Sequence, residues 1–198
     1  PEVFFDGTPD PMDGLFPIHD AMSNTEGILD LLQEFKAEVM DGTDAFAVAE
    51  ANGVVPEELV NWVGNHGAFD MLFEFGHILV PQGGNENWYE SDDWKLTQLK
   101  AALSASQRAT RTNGWYPIYF ENHDQARSVS MFLPDVSNKI AGAKMLATVL
   151  MTLRGTPFVY QGQELGYENV AWPAIDMYND VSSHNQYKMA LQAGKTEA

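Results

Sequence analysis

The sequence predicts an α/β fold of parallel strands and, within that class, half of an eight-unit barrel. Three observations point there. Four strand-then-helix units follow one another, polar residues gather just past the C-terminal end of each strand, and no GxGxxG or Walker-type loop follows any of them. Parallel strands need crossover connections, which a helix between strands supplies, and such crossovers are right-handed. The C-terminal rim of parallel strands is where sites are built, and without a glycine-rich phosphate loop a nucleotide-binding open sheet loses support to a barrel.

Taken in order, Ser23 and Glu26 form a capping-box pattern, and Ile28, Leu31, Leu32, Phe35 and Val39 recur at helical spacing, so the spacing predicts a helix over about 25–40. The run Ala45–Ala49 is apolar on both alternations and too short for a helix, as a buried parallel strand reads, and it ends at Glu50. Pro56 suits the first turn of a helix because its missing N–H costs nothing there, and Glu57 and Glu58 favour the dipole. Phe69–Phe75 is strand-like, and Trp94 to about Thr112 carries Leu96, Leu99 and Leu103 on one helical face. Trp115–Phe120 is an aromatic strand, followed by a helix over about 139–154 with Ala143, Leu146, Ala147, Leu150 and Met151 on its buried side. Pro157–Tyr160 is the fourth strand, and a weaker helix runs from about His184 to Gln192.

Composition narrows the function. The 198 residues include 28 acidic and 11 basic side chains, a formal charge of −17, too few cations to build the basic face that displaces counterions from nucleic acid. DNA and RNA are excluded as partners. The longest apolar stretch, Met145–Leu153, is less than half of the about 20 residues a bilayer crossing needs, so no membrane span is expected. No signal peptide is visible, and the absence of cysteine removes disulfides, thiolate metal sites and cysteine nucleophiles while fitting a reducing compartment; the expected location is the cytoplasm. Histidines show no HxxxH or HxH spacing, which weakens a metal enzyme.

A whole barrel needs roughly 250 residues, so four units are expected to be incomplete. An open half would leave two sheet edges and an apolar inner face in water, and the missing half or a partner chain is expected to cover them.

Glu50 follows directly on an apolar strand, where partial desolvation raises a carboxyl pKa as a general acid requires. A lone glutamate there is nonetheless more often a helix cap or the partner of a loop cation. Asp124, with His123 beside it after an aromatic strand, reads either as a site carboxylate or as a turn residue. Two carboxyl groups on one rim are what glycoside hydrolysis asks for, with aromatic faces for sugar rings to stack on. Trp62, Phe73, Phe75, Trp88, Tyr89 and Tyr167 are candidates by position, most of them expected to be core or loop packing.

The segment Glu121-Asn122-His123-Asp124-Gln125-Ala126-Arg127, followed by Gly155-Thr156-Pro157-Phe158-Val159-Tyr160-Gln161-Gly162-Gln163-Glu164-Leu165-Gly166, resembles the last two barrel-strand motifs of the α-amylase family of glycoside hydrolases, and more narrowly its oligo-1,6-glucosidase and α-glucosidase branch. The stretch Ala47-Val48-Ala49-Glu50-Ala51-Asn52-Gly53-Val54 is similar to the family's acid/base motif, and the likeness includes Phe73-Glu74-Phe75-Gly76-His77 and Glu168-Asn169-Val170. By that resemblance residues 1–198 are the C-terminal half of a TIM-barrel catalytic domain, roughly strands five to eight. Glu50 is then the general acid/base, Asp124 holds sugar hydroxyls and distorts the ring, and His123 donates to the same ring. Arg127 binds substrate or anchors its loop by pairing with a carboxylate.

The resemblance implies a retaining α-glucosidase acting on terminal bonds of short α-glucosides, with its nucleophilic aspartate on a fourth strand upstream of Pro1. Phe4–Pro17 is then the loop after that strand, and this chain alone is expected to be inactive. No cofactor is expected within this chain, and calcium stays open for the absent half, where the family's usual ion sites mostly lie. A catalytically dead, transporter-associated or interaction subunit is disfavoured by the retention of both Glu50 and Asp124. A sucrose isomerase of the same branch is disfavoured because Ile78–Gln82 carries none of the arginines of the isomerase loop, and a transglucosidase of the branch stays an alternative.

Overall fold

The computed structural model describes residues 23–82 and 94–196. The predicted loop Phe4–Pro17 and the aromatic candidates Trp88 and Tyr89 lie outside the described residues. The chain divides into two units, one of residues 1–76, 101–118 and 154–156, the other of residues 77–100, 119–153 and 157–198.

In the first unit, helix α1 (Ile28–Phe35) continues as a wider turn over Lys36–Met40, so the predicted helix exists but begins three residues late. The expected Ser23/Glu26 capping box does not form. The N-cap is Gly27, at φ 86°, without a side-chain cap. The cause is tertiary: Asn24, itself at φ 50°, donates from Nδ2 to Glu58 Oε2 at 2.8 Å, and Glu58 also accepts from Val55 N–H at 3.3 Å. Strand β1 (Val48–Glu50) pairs in parallel with β2 (Met71–Phe73), in the register Val48 to Met71, Ala49 to Leu72 and Glu50 to Phe73. Asp70 starts the ladder by accepting Ala47 N–H on Oδ2 at 2.7 Å, and Ala51 N–H donates to Phe73 O at 3.3 Å. Between the strands lies α2 (Leu59–Trp62), entered through a 3₁₀ turn at Pro56–Glu58. Strand, helix and parallel strand make the βαβ unit that the alternation predicts.

Val54, Leu59, Trp62, Val63 and Leu72 form this unit's core, with Ile28, Leu29, Leu32, Ala49, Phe69 and Ala109 packed on it. Each large apolar side chain so buried contributes about 1.5–3 kcal/mol. Trp62 stacks on Phe69 with ring centroids 6.5 Å apart, so this sugar-stacking candidate is a core residue. β1 departs from expectation: Phe46, Val48 and Glu50 are exposed rather than buried, because no described residue covers that face.

Strands β3 (Pro117–Ile118) and β4 (Thr156–Pro157) form a second pair, tied by Thr156 N–H to Tyr116 O at 3.0 Å. Gly155 makes this approach possible: at φ 146°, a Cβ there would stand 2.1 Å from Tyr116 O. The four predicted strands are present but short, in two hydrogen-bonded pairs rather than one continuous ladder. Strands of two or three residues make few ladder bonds, and an edge without a neighbour is not held extended.

Helix α3 (Gly76–Leu79) is a single turn, and α4 (Leu96–Ala109) buries Leu99 and Leu103 as predicted but leaves Leu96 exposed. In the second unit, α5 (Ser128–Phe132) packs Phe132 against Phe120 and Trp94, at centroid distances of 5.5 and 6.0 Å. α6 (Lys139–Thr152) is capped by Asn138 Oδ1, which accepts from Ala141 N–H at 3.0 Å, and it buries Gly142, Leu146 and Leu150. Ala147 and Met151, expected inside, are exposed. α7 (Val181–Gln192) starts three residues before the predicted His184, where Asp180 Oδ2 accepts Ser183 N–H at 2.6 Å. Among the described residues no helix is long and apolar enough to cross a membrane.

Candidate active site

The polar residues that the sequence places at the ends of the four strands, Glu50, Glu74 with His77, His123 with Asp124, and Gln163 with Glu164, behave differently. Glu74 and His77 turn inward. Glu74 is buried and accepts from Ser106 Oγ at 2.9 Å, from the Tyr116 hydroxyl and from Gly76 N–H at 2.6 Å, all within the first unit. His77 is buried in the second unit, its Nε2 2.7 Å from Tyr119 O and its ring edge-on to Tyr119 at 5.0 Å. Gln163 and Glu164 bond their own turn: Gln163 Oε1 accepts Tyr160 N–H at 3.1 Å and Glu164 Oε2 accepts Gly162 N–H at 2.8 Å.

Glu50 ends β1, in register with half-buried Phe73, with its side chain exposed. The described residues therefore do not supply the desolvation anticipated from the apolar strand before it. Among the described residues none covers its carboxyl group.

The second unit contains an open cleft of about 830 Å³. His123 and Arg127 line it, with Asn122, Gln125, Tyr160, Tyr167, Glu168, Asn169, Trp172 and Tyr178 among the others. The turn that carries His123 and Asp124 is set by Asn122, whose Oδ1 accepts Asp124 N–H at 2.9 Å. His123 Nε2 lies 3.2 Å from Asp124 Oδ2, and both side chains are exposed, so neither is tied up in the interior.

Arg127 is the most constrained of the predicted site residues. Its Nη1 donates to Glu121 Oε1 at 2.8 Å and to Gln161 O at 2.7 Å, and its guanidinium lies over the rings of Tyr160 at 5.0 Å and Tyr167 at 5.6 Å. Its backbone N–H donates to Asn169 Oδ1 at 2.8 Å, and Asn169 N–H donates in turn to Ser130 Oγ at 2.9 Å. The Tyr167 ring reaches this position because residue 162 is glycine, at φ 88°: a Cβ there would stand 2.5 Å from the ring. The cleft thus combines amide and imidazole groups suited to sugar hydroxyls with tyrosine and tryptophan rings suited to sugar faces.

Of the aromatic candidates, Tyr167 lines the cleft and Trp62 does not. Tyr160, at the end of a predicted strand, and Asn169, in the motif Glu168-Asn169-Val170, are marked by position alone; no local signal in the sequence separates Trp172 or Tyr178 from ordinary loop residues. Among the described residues no group of three or more His, Asp or Glu is gathered as for a metal ion.

The cleft sets hydrogen-bonding side chains beside aromatic rings on a mixed helix and strand scaffold. The family model described as alpha amylase, catalytic domain, matches residues 6–197, and the chain belongs to the α-amylase family of glycosidases. It is 36% identical over 170 residues to an oligo-1,6-glucosidase of Parageobacillus thermoglucosidasius, covering 85% of this chain and 30% of that relative. It is 39% identical over 166 residues to an oligo-1,6-glucosidase of Halalkalibacterium halodurans, covering 83% and 29%. Among solved structures it is similar to the trehalose-6-phosphate hydrolase of Bacillus licheniformis, at TM-score 0.77 and 34% identity over 86% of this chain and 31% of that one. The isomaltulose synthase SmuA of Protaminobacter rubrum matches at TM-score 0.76 and 29% identity, over 88% and 32%. The chain therefore spans about three tenths of the length of these relatives.

Proposed function

We propose that these residues are strands five to eight of the catalytic barrel of a retaining α-glucosidase, which removes terminal glucose from short α-glucosides. The observation that carries this reading is the cleft lined by His123, Arg127, Tyr167 and Asn169, next to Asp124, in a chain whose relatives at 36–39% identity are oligo-1,6-glucosidases.

In this reading the Glu50 carboxylic acid protonates the glycosidic oxygen as an aspartate outside this chain attacks the anomeric carbon. A covalent glycosyl-enzyme forms and the aglycone leaves. Glu50, now a carboxylate, then takes a proton from water as that water breaks the ester linkage, restoring both carboxyl groups. Asp124 and His123 hold the hydroxyls of the reacting ring. The scheme uses carboxyl groups alone and needs no cofactor. The missing barrel half is the partner that encloses Glu50, which is why the chain by itself is expected not to turn over substrate.

Glu50→Gln in the full-length protein tests the assignment. Turnover of an unactivated disaccharide should fall by about 10²–10⁴-fold, and turnover of an activated aryl glucoside by less, because a good leaving group needs little protonation. Unchanged disaccharide turnover would remove Glu50 from its role.

The likeness to SmuA favours a second reading, sucrose isomerisation. Ile78–Gln82 contains no arginine. Sucrose converted to free glucose and fructose supports hydrolysis; an isomeric disaccharide as the main product supports the second reading.

A further inference from the structure

The described lining of the cleft contains one lysine or arginine, Arg127, and its charge is already matched. Glu121 is the reason. Its side chain is 1% exposed, one carboxylate oxygen accepts from Arg127 and the other accepts Ser128 N–H at 2.6 Å. We propose that Glu121 is a specificity-determining residue: it keeps Arg127 neutralised in the cleft wall, so that the cleft admits uncharged sugar rings and rejects phosphorylated ones. The inference rests on the α-glucosidase reading and adds to it the charge class of the substrate.

Arginine captures a phosphate by turning its donor fork to two oxygens at once. Here Nη1 already serves Glu121 and Gln161, and the rings of Tyr160 and Tyr167 hold the guanidinium plane in place. Turning toward a ligand would strand a buried carboxylate without its cation, which is strongly unfavourable. The other charges around the cleft offer no substitute. Lys139 donates to Leu133 O and Pro134 O at 2.7 and 2.8 Å and stands 3.6 Å from Glu168, itself a cleft residue. Asp124, exposed beside His123, adds a carboxylate that forms no ion pair with a lysine or arginine among the described residues. A phosphate ester entering this cleft meets a field of its own sign. The distinction matters because a protein of similar structure is a trehalose-6-phosphate hydrolase.

The test is calorimetric titration of the full-length protein with glucose and with glucose 6-phosphate. Glucose should bind roughly tenfold or more tightly than glucose 6-phosphate. Raising the salt from about 0.05 to 0.5 M should narrow that gap, which a purely steric exclusion would not do. Glu121→Gln, which keeps the side-chain shape but removes the charge, should narrow it by about three- to tenfold. Glu121→Asp, which keeps the charge, should preserve it. Equal binding of the two ligands by the unaltered protein, or a gap indifferent to salt, overturns the inference even if Glu121→Gln fails to fold. A folded Glu121→Gln protein with an unchanged gap also overturns it. A folded full-length protein that binds no glucose and hydrolyses no neutral α-glucoside overturns the α-glucosidase reading and takes this inference with it.

Discussion

At Glu74 a buried carboxyl group draws its donors from three places in one unit: the Ser106 hydroxyl, the Tyr116 hydroxyl and Gly76 N–H. Removing the acceptor takes three hydrogen bonds out of the interior at once, whereas removing one donor takes one, at about 1 kcal/mol each. Glu74→Ala should therefore lower stability several-fold more than Tyr116→Phe in urea melts of the full-length protein. A Glu74→Ala protein as stable as the unaltered one would show that these contacts are not what holds the unit. In the sequence Glu74 looks like a rim residue no different from Glu50, since both stand at the end of a strand-like run. Ser106 and Tyr116 lie 32 and 42 residues further on, and no local pattern predicts that they enclose it. Arg127 takes the carboxylate partner that was one of its two expected roles, but that the partner is Glu121 was not legible, for a related reason. The pair's six-residue spacing matches no helical pairing rule, and a turn, not a helix, brings the two together. Trp62 failed as a stacking candidate because the sequence shows an aromatic ring but not Phe69 lying parallel to it.

Helices were legible where periodicity and local caps agree, and shifted where a distant group competes. α6 begins at the predicted Lys139 because Asn138 supplies the cap from the adjacent position. α1 loses its predicted box because Asn24 turns to Glu58, 34 residues away. α7 starts earlier than predicted because its apolar pattern is weak and the cap, Asp180, marks the start instead. The side-chain hydrogen bond with Ser183, followed by its backbone N–H, holds the Asp180 carboxyl below the usual carboxylate value. A carboxylate depressed in the folded helix stabilises it fully above the ordinary pKa, and that contribution is lost as pH falls through the lower, folded value. The protection of the Ser183 amide, its exchange measured against the intrinsic rate at each pH, should accordingly fall as the solution is acidified into that range. Asp180→Asn should keep the cap and abolish the pH dependence of that protection, and Asp180→Ala should leave the amide unprotected at every pH. Protection in the unaltered protein that does not fall on acidification would exclude the cap.

Over the whole molecule, what the sequence carried most clearly was the order of strands, helices and motifs, because periodicity and motif spacing are local properties. What it could not carry is what lies against β1. Phe46 is 64% exposed and Val48 40%, on the same alternation of the strand as Glu50. Among the described residues β1 pairs with β2 alone. Large apolar groups along a free parallel edge are unfavourable in water, and parallel strands in α/β folds are ordinarily covered on both faces. The proposed barrel resolves this, because its other half would pack on the face that also presents Glu50 to substrate. Phe46→Lys separates the possibilities by the sign of its effect. In the 198-residue chain by itself the charge should reduce self-association in sedimentation velocity at little or no cost in stability, since the position is open to water. In the full-length protein the same change should destabilise by about 3 kcal/mol or more and lower the proposed glucosidase activity, since it would bury an unpaired charge beside Glu50, the proposed acid/base. Equal, small effects in both would mean that the β1 face stays in water, and Glu50 would then lack the desolvated setting a general acid requires.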